Sequence, residues 1–298
     1  MDTRDISLVD VCTAEPTGGV PVGYLPAGDD LTDDQLRAVA GELDATVATP
    51  ESDGLRVLDR TGPLSTHPHA TLGAVIRQFE RGDREAGTHD LSTAAGTETV
   101  EVTEDGGAWV ERPRPTASGT DLREQDIAAA LGIDAAALRD VGADLPPMVL
   151  SVGADVLAAP VNFLEHVSGA SPDAGALVDV AEQAGVDAVC GFTFDTLDDD
   201  VACHVRTFVP PGARVGVPTT DLETPAWPAL AGGLVSHLYG TGTIESATTA
   251  VEQGHFRDRP GLVHVEAGER LRVGGFGVTT LDGTVTVPPA ADDDIIEA

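Results

Sequence analysis

His67 and His69 stand one residue apart, and an almost wholly apolar segment, Ala70–Phe79, follows at once. On a strand, H-x-H would put both rings on one face and could start a metal site. No third ligand follows at a usable spacing, so no metal is expected. At the mouth of a helix the same His69 is placed for proton transfer. Glu223 is the carboxylate counterpart. It lies in Asp221-Leu222-Glu223-Thr224-Pro225, just before a second apolar segment. Other chemistries lack an anchor. No G-x-S-x-G elbow accompanies the Ser, His and Asp residues, and there is no G-x-x-x-x-G-K loop for phosphates. Gly274-Gly275-Phe276-Gly277 lies between strand-like runs and reads as a bend or bulge. Cys12, Cys190 and Cys203 are an odd, widely spaced set with no C-x-x-C, which does not suggest a disulfide framework.

The elements that must position these residues are legible from periodicity. Leu72, Val75, Ile76 and Phe79 recur at helical spacing, which predicts a buried helix over Thr71–Phe79. Pro225–Tyr239 predicts a second apolar helix. Each follows a polar, Pro-containing loop, 65–69 and 221–225. A helix N-terminus carries about half a positive charge and free N–H donors. If both helices point their N-termini at one cleft, that cleft suits a small carboxylate. Around them, strands are expected over Ser7–Cys12, Val20–Leu25, Leu55–Leu58, Met148–Ala159, Val186–Thr193 and Cys203–Val209. Further strands are expected in Val251–Val278. Outer helices are expected over Thr32–Leu43, Thr120–Leu131 and Ala174–Ala184. Asp105-Gly106-Gly107 reads as a hairpin turn, Glu80–Ala95 as a loop or edge, and 112–119 as the linker between two halves of like plan.

Composition narrows the partners. The 298 residues include 50 Asp and Glu against 17 basic residues, all of them Arg, for a net charge of −33. Such a surface repels nucleic acid and anionic membranes. The carboxylates are spread along the chain and Lys is absent, a pattern that fits molar intracellular salt. Most acidic residues are then solvation, and Asp292-Asp293-Asp294 reads as a solvated tail. No apolar run is long enough to span a bilayer, and the N-terminus leads straight into a strand, so a cytoplasmic protein is expected.

Taken in order, the loops and strands resemble the PhzF-like family of isomerases and epimerases, which has the diaminopimelate epimerase fold. Leu8–Val22 resembles the family's opening V-D-V-F-T-x-x-P-F-x-G-N-P-x-A-V, and Leu31–Asp44 its first helix. Arg56-Val57-Leu58 and His67–Ala74 resemble R-x-F and C-G-H-A-T-L-A-A. Phe208-Val209-Pro210 and Glu223–Ala226 resemble F-x-P and the start of E-D-P-A-T-G-S-A. Glu252–Pro260 resembles Q-G-x-x-M-G-R-P, and Val273–Val278 resembles V-x-V-G-G-x-A.

The resemblance implies an α+β fold of two pseudo-duplicated domains. Each is a curved, mostly antiparallel sheet around a central helix, and the site lies between them. The first spans 1–115, completed by 281–298, and the second 120–280. It also implies cofactor-independent proton movement on a small carboxylate-bearing metabolite, and a homodimer. Carried over by position, His69 and Glu223 are the catalytic candidates. His67, Ala70, Thr71, Thr224 and Ala226 are the substrate-binding ones. The departures are specific. The family's acid/base Glu falls on Val47, the Asp of E-D-P on Thr224, and T-G-S on Trp227-Pro228-Ala229. A substitute base would have to come from His69, His67, Asp44 or Glu51. The alternative is a catalytically degenerate relative that binds a metabolite or serves a structural role.

Overall fold

The computed structural model describes residues 2–64, 67–139, 141 and 145–290. The acidic run at 292–294 and loop residues 65 and 66 lie outside these. The first half contains β1 (Asp2–Val11), β2 (Val20–Tyr24), α1 (Asp33–Leu43), β3 (Thr46–Glu51), β4 (Gly54–Asp59) and β5 (Gly62–Pro63). It continues through α2 (Pro68–Arg81), β6 (Gly87–Thr93), β7 (Gly96–Val102) and β8 (Ala108–Arg112). The second half opens with β9 (Thr116–Gly119), α3 (Glu124–Leu131), β10 (Met148–Ser151), β11 (Asp155–Pro160), α4 (Leu164–Ser168) and α5 (Ala174–Ala184). It ends with β12 (Ala188–Thr193), β13 (Cys203–Phe208), α6 (Pro228–Gly240), β14 (Thr248–Gln253), β15 (Gly261–Glu266), β16 (Leu271–Gly275) and β17 (Gly277–Val287).

The pairing pattern occurs twice. In the first half β1–β2 is antiparallel, β2–β3 parallel across α1, β3–β4 antiparallel and β4–β6 parallel across α2. In the second half β10–β11, β11–β12, β12–β13 and β13–β14 repeat that order, with α5 and α6 as the crossovers. Antiparallel strands β6–β7–β8 and β14–β15–β16 close the two units. The first unit also receives a strand from the end of the second. β17 runs beside β1 from Val287 opposite Asp2 to Gly277 opposite Val11, and β9 adds to β10. β16 pairs with β8, so the strands join in one continuous, mostly antiparallel sheet. This is the α+β class expected.

The structure sharpens two expectations. Glu80–Ala95, expected as a loop or edge, contains the strand β6. Only Leu91 of β6 is buried, so the strand has no apolar alternation to reveal it and is held by β7. The linker region contains β9, whose four residues are all exposed and held by backbone bonds to β10.

Strand alternation separates an inner core from two outer ones. The inner core surrounds α2 and α6 and draws on both halves, for example Val11, Ala48, Leu72, Val205 and Leu234. Val47, on the other face of β3, packs instead with Leu36, Val39 and Leu58 under α1. Phe208 packs with Ile127 and Leu177 under α3 and α5. α1 starts where Thr32 and Gln35 cap each other reciprocally, and Asp173 caps α5. One arginine per unit ties the approach to its outer layer. Arg56 on β4 donates to the carbonyls of Gly28 and Leu31 at 2.7 and 2.9 Å. Arg206 on β13 donates to those of Val167, Ser168 and Ala170 at 2.9–3.0 Å.

Candidate active site

Both inner helices begin with proline, Pro68 in α2 and Pro228 in α6. Proline at a first helical position fits the required φ and lacks only an N–H that the helix would leave free. The two starts meet at a cavity of about 290 Å³. Its walls include His67, His69, Gly153, Arg214, Gly216 and Trp227. So residues at the starts of both helices line one cleft, as the carboxylate argument required.

His69 is fully buried, and its Nε2 lies 3.1 Å from Thr46 Oγ1. Its Nδ1 has no hydrogen-bond partner among the described residues. Burial holds its pKa well below the usual imidazole value, and His67 lowers it further. The two rings meet edge to face, with centroids 5.7 Å apart. His67 is pushed down to about 4, chiefly by burial, against opposing effects from Asp59 and a hydrogen bond to the Gly216 backbone. Gly216 sits at φ +68, and a Cβ there would lie 1.8 Å from His67 Cε1. Only glycine allows this approach. At neutral pH both rings are uncharged, the form that can accept a proton.

Several expected site residues lie elsewhere. Glu223 does not face the cleft. It is clamped by Arg206 at 2.9 and 2.7 Å in a buried pair on the face of β13 opposite α6. Arg206 in turn lies over the Phe208 and Phe256 rings. Thr71 donates to Glu98, which is paired with Arg112. The Thr224 hydroxyl accepts from Gln253 Nε2 at 3.1 Å. Ala70 and Ala226 are buried in the inner core. None of these five lines the cavity, whereas His67 and His69 do.

The position matched to the family's base also moves. Val47 points under α1, and the neighbouring Thr46 faces His69. Asp44 is the left-handed C-cap of α1 and lies 3.6 Å from Arg60. Glu51 lies 3.6 Å from Arg56. Among the described residues neither histidine ring has a carboxylate within hydrogen-bonding distance, and no group of three metal-ligating side chains converges. Arg259 binds Asp10 at 2.6 Å and the carbonyls of Gly18 and Gly19, so it fastens the β1–β2 turn to the second half. Arg257 donates to the Glu223 carbonyl.

Two contributors escaped the sequence reading, Thr46 and Arg214, while Gln253 stood in the matched Q-G motif. Gln253 is buried and accepts from Trp227 N at 3.1 Å while donating to Thr224, which fixes the start of α6. Arg214 had a visible signal, a lone arginine in the Pro- and Gly-rich run Pro210–Gly216. Thr46 had none, because only the strand's facing direction distinguishes it from Val47.

The fold has counterparts. The family model described as "Phenazine biosynthesis-like protein" (PhzC-PhzF) matches residues 9–283. The chain is 26% identical over 294 residues to "Uncharacterized isomerase YfhB" of Bacillus subtilis (strain 168), covering 95% of this chain and 96% of that one. A phenazine biosynthesis protein of the PhzF family from Bacillus anthracis superposes with a TM-score of 0.83 at 19% identity, over 96% of this chain and all of its own. A "Predicted Epimerase" from Pseudomonas aeruginosa superposes with a TM-score of 0.76 at 20% identity, over 96% and 100% of the two chains. With the repeated units, the paired inner helices and the histidine cleft in place, the chain belongs to the PhzC-PhzF family of phenazine biosynthesis-like proteins.

Proposed function

We propose that this protein is a cofactor-independent isomerase or epimerase that moves a proton on a small carboxylate-bearing metabolite, with His69 and His67 as the proton-handling pair. The observation that carries this reading is a neutral His69 with an unpartnered Nδ1, on the wall of a cavity between the two inner helix starts. When Thr46 accepts from Nε2–H, the Nδ1 lone pair is free to act as a base. The reaction breaks a C–H bond next to the carboxylate or its conjugated system. The electron pair delocalises toward the carboxylate oxygens, and the proton goes to imidazole. Return of that proton to another carbon, or to the other face of the same carbon, completes isomerisation or epimerisation with no net redox change. General acid–base catalysis of this kind contributes about 10²–10⁴-fold in rate.

The cleft is taken to lie between two domains, 1–115 with the returning 281–298, and 120–280. The −33 charge supports a cytoplasm of high salt. Family resemblance supports a homodimer. A second reading, a metabolite-binding or structural relative without turnover, is favoured by one observation. Among the described residues no carboxylate lies within hydrogen-bonding distance of either ring, and Glu223 is neutralised by Arg206. Uptake of solvent deuterium into a small carboxylate, lost in His69→Ala, tests the first reading against the second.

A further inference from the structure

We infer that Arg214 is the residue that recognises the substrate's carboxylate in this cleft, an inference that rests on the proton-transfer reading and deepens it. Arg214 lies between β13 and α6, and 54% of its side chain is exposed. It lines the histidine cavity and also an adjoining crevice of about 110 Å³ shared with Thr46 and Asp59. It is the only arginine lining the histidine cavity among the described residues.

Arg214 is held more loosely than the buried arginines of the chain. Its Nη2 lies 3.6 Å from Asp59 Oδ1, beyond hydrogen-bonding distance. That oxygen already accepts from the backbone N–H groups of Thr61 and Gly62 at 2.7 and 3.0 Å and from the Thr61 hydroxyl. By contrast, Arg112, Arg206 and Arg259 hold Glu98, Glu223 and Asp10 at 2.6–2.9 Å. The alternative anion donors are depleted. Pro68 and Pro228 remove one N–H from each helix start, and Gln253 takes the Trp227 N–H. In molar salt long-range attraction is screened, so recognition of an anionic substrate falls to a cation at the site itself. A guanidinium fork matches a carboxylate in two parallel hydrogen bonds. Gly216, two residues on, packs against His67, so the same short segment couples carboxylate binding to the proton-handling pair.

The test is titration calorimetry in molar KCl with cyclohex-1-ene-1-carboxylate and its carboxamide, a pair that differs only in charge and donor pattern. The wild-type chain is expected to bind the carboxylate more tightly than the carboxamide. Arg214→Gln should weaken carboxylate binding about 10–100-fold and leave carboxamide binding unchanged. Arg214→Lys, which keeps the charge but loses the fork, should fall between. Arg270→Gln removes the same charge at an exposed pair with Glu111 and should bind as wild type. Full carboxylate binding by Arg214→Gln overturns the inference. So does an equal loss in Arg270→Gln, or no preference for carboxylate in the wild type. Deuterium uptake separates the two claims. Arg214-dependent binding without exchange sinks the proton-transfer reading alone, and exchange that survives Arg214→Gln with unchanged KM sinks this inference alone.

Discussion

His69 Nε2 lies 3.1 Å from Thr46 Oγ1, so the group facing the buried histidine is a hydroxyl, and Val47 turns the other way under α1. Thr46→Val keeps the shape and removes the partner. It is expected to lower the deuterium-exchange rate and to destabilise the fold by about 1–3 kcal/mol, the cost of a buried polar group left alone. Thermal denaturation and exchange on the same variant check both. Val47→Glu would place a charge among Leu36, Val39 and Leu58. It is expected to lower stability by several kcal/mol without raising turnover. A gain of exchange in Val47→Glu would show that position 47 faces the site after all.

Glu223 and Arg206 form a buried pair with the arginine also holding three carbonyls. Glu223→Gln leaves Arg206 without its counter-charge, and a broken buried pair costs about 3–5 kcal/mol. The expected result is a marked drop in unfolding midpoint with exchange preserved in the protein that remains folded. Loss of exchange at unchanged stability would return Glu223 to the site.

Much of this arrangement was legible in the sequence, and the misses have one cause. The helical run Thr32–Leu43 announced α1, the 3–4 spacing of Leu72, Val75, Ile76 and Phe79 announced α2, and Asp105-Gly106-Gly107 announced the β7–β8 turn. These signals are local. β6 and β9 are polar strands held by backbone pairing with β7 and β10, and their own residues carry no period-2 apolar pattern. The same limit governs the site. His67 precedes and His69 opens the helix that presents them. Which face of β3 meets His69, and which arginine of the chain reaches the cleft, depends on pairings across the whole sheet. Glu223 draws attention by its place before α6, which is local, while its partner Arg206 comes from β13.

The depressed histidines set a pH dependence. The unfolded chain takes up a proton on His67 near pH 6.5 and the folded chain only near 4. Between these values the unfolded state binds more protons, so stability rises with pH across that window. The contribution is complete above about 6.5 and is lost as pH falls toward 4. Urea midpoints measured over this range should fall more steeply in wild type than in His67→Gln. Parallel slopes would mean that His67 is solvated and near its ordinary value.

Surface charge sets a salt dependence. At 1 M salt the screening length is about 3 Å, and repulsion among 50 carboxylates set against 17 arginines is largely removed. The melting temperature is expected to rise between low salt and molar KCl by at least about 2–4 °C, equivalent to ~1 kcal/mol in a chain of this size. A flat or falling melting temperature would mean that repulsion does not limit stability here.

Solvent deuterium incorporation is the most direct measurement. The purified chain is incubated in molar KCl and D₂O with small amino and unsaturated carboxylic acids, and each is followed by NMR. Deuterium is expected at one carbon of one substrate class, with the signal abolished in His69→Ala and reduced in Thr46→Val. No exchange across the panel, alongside tight binding of any member by wild-type protein, would contradict proton transfer at the His67–His69 cleft and leave a binding protein built on the family's fold.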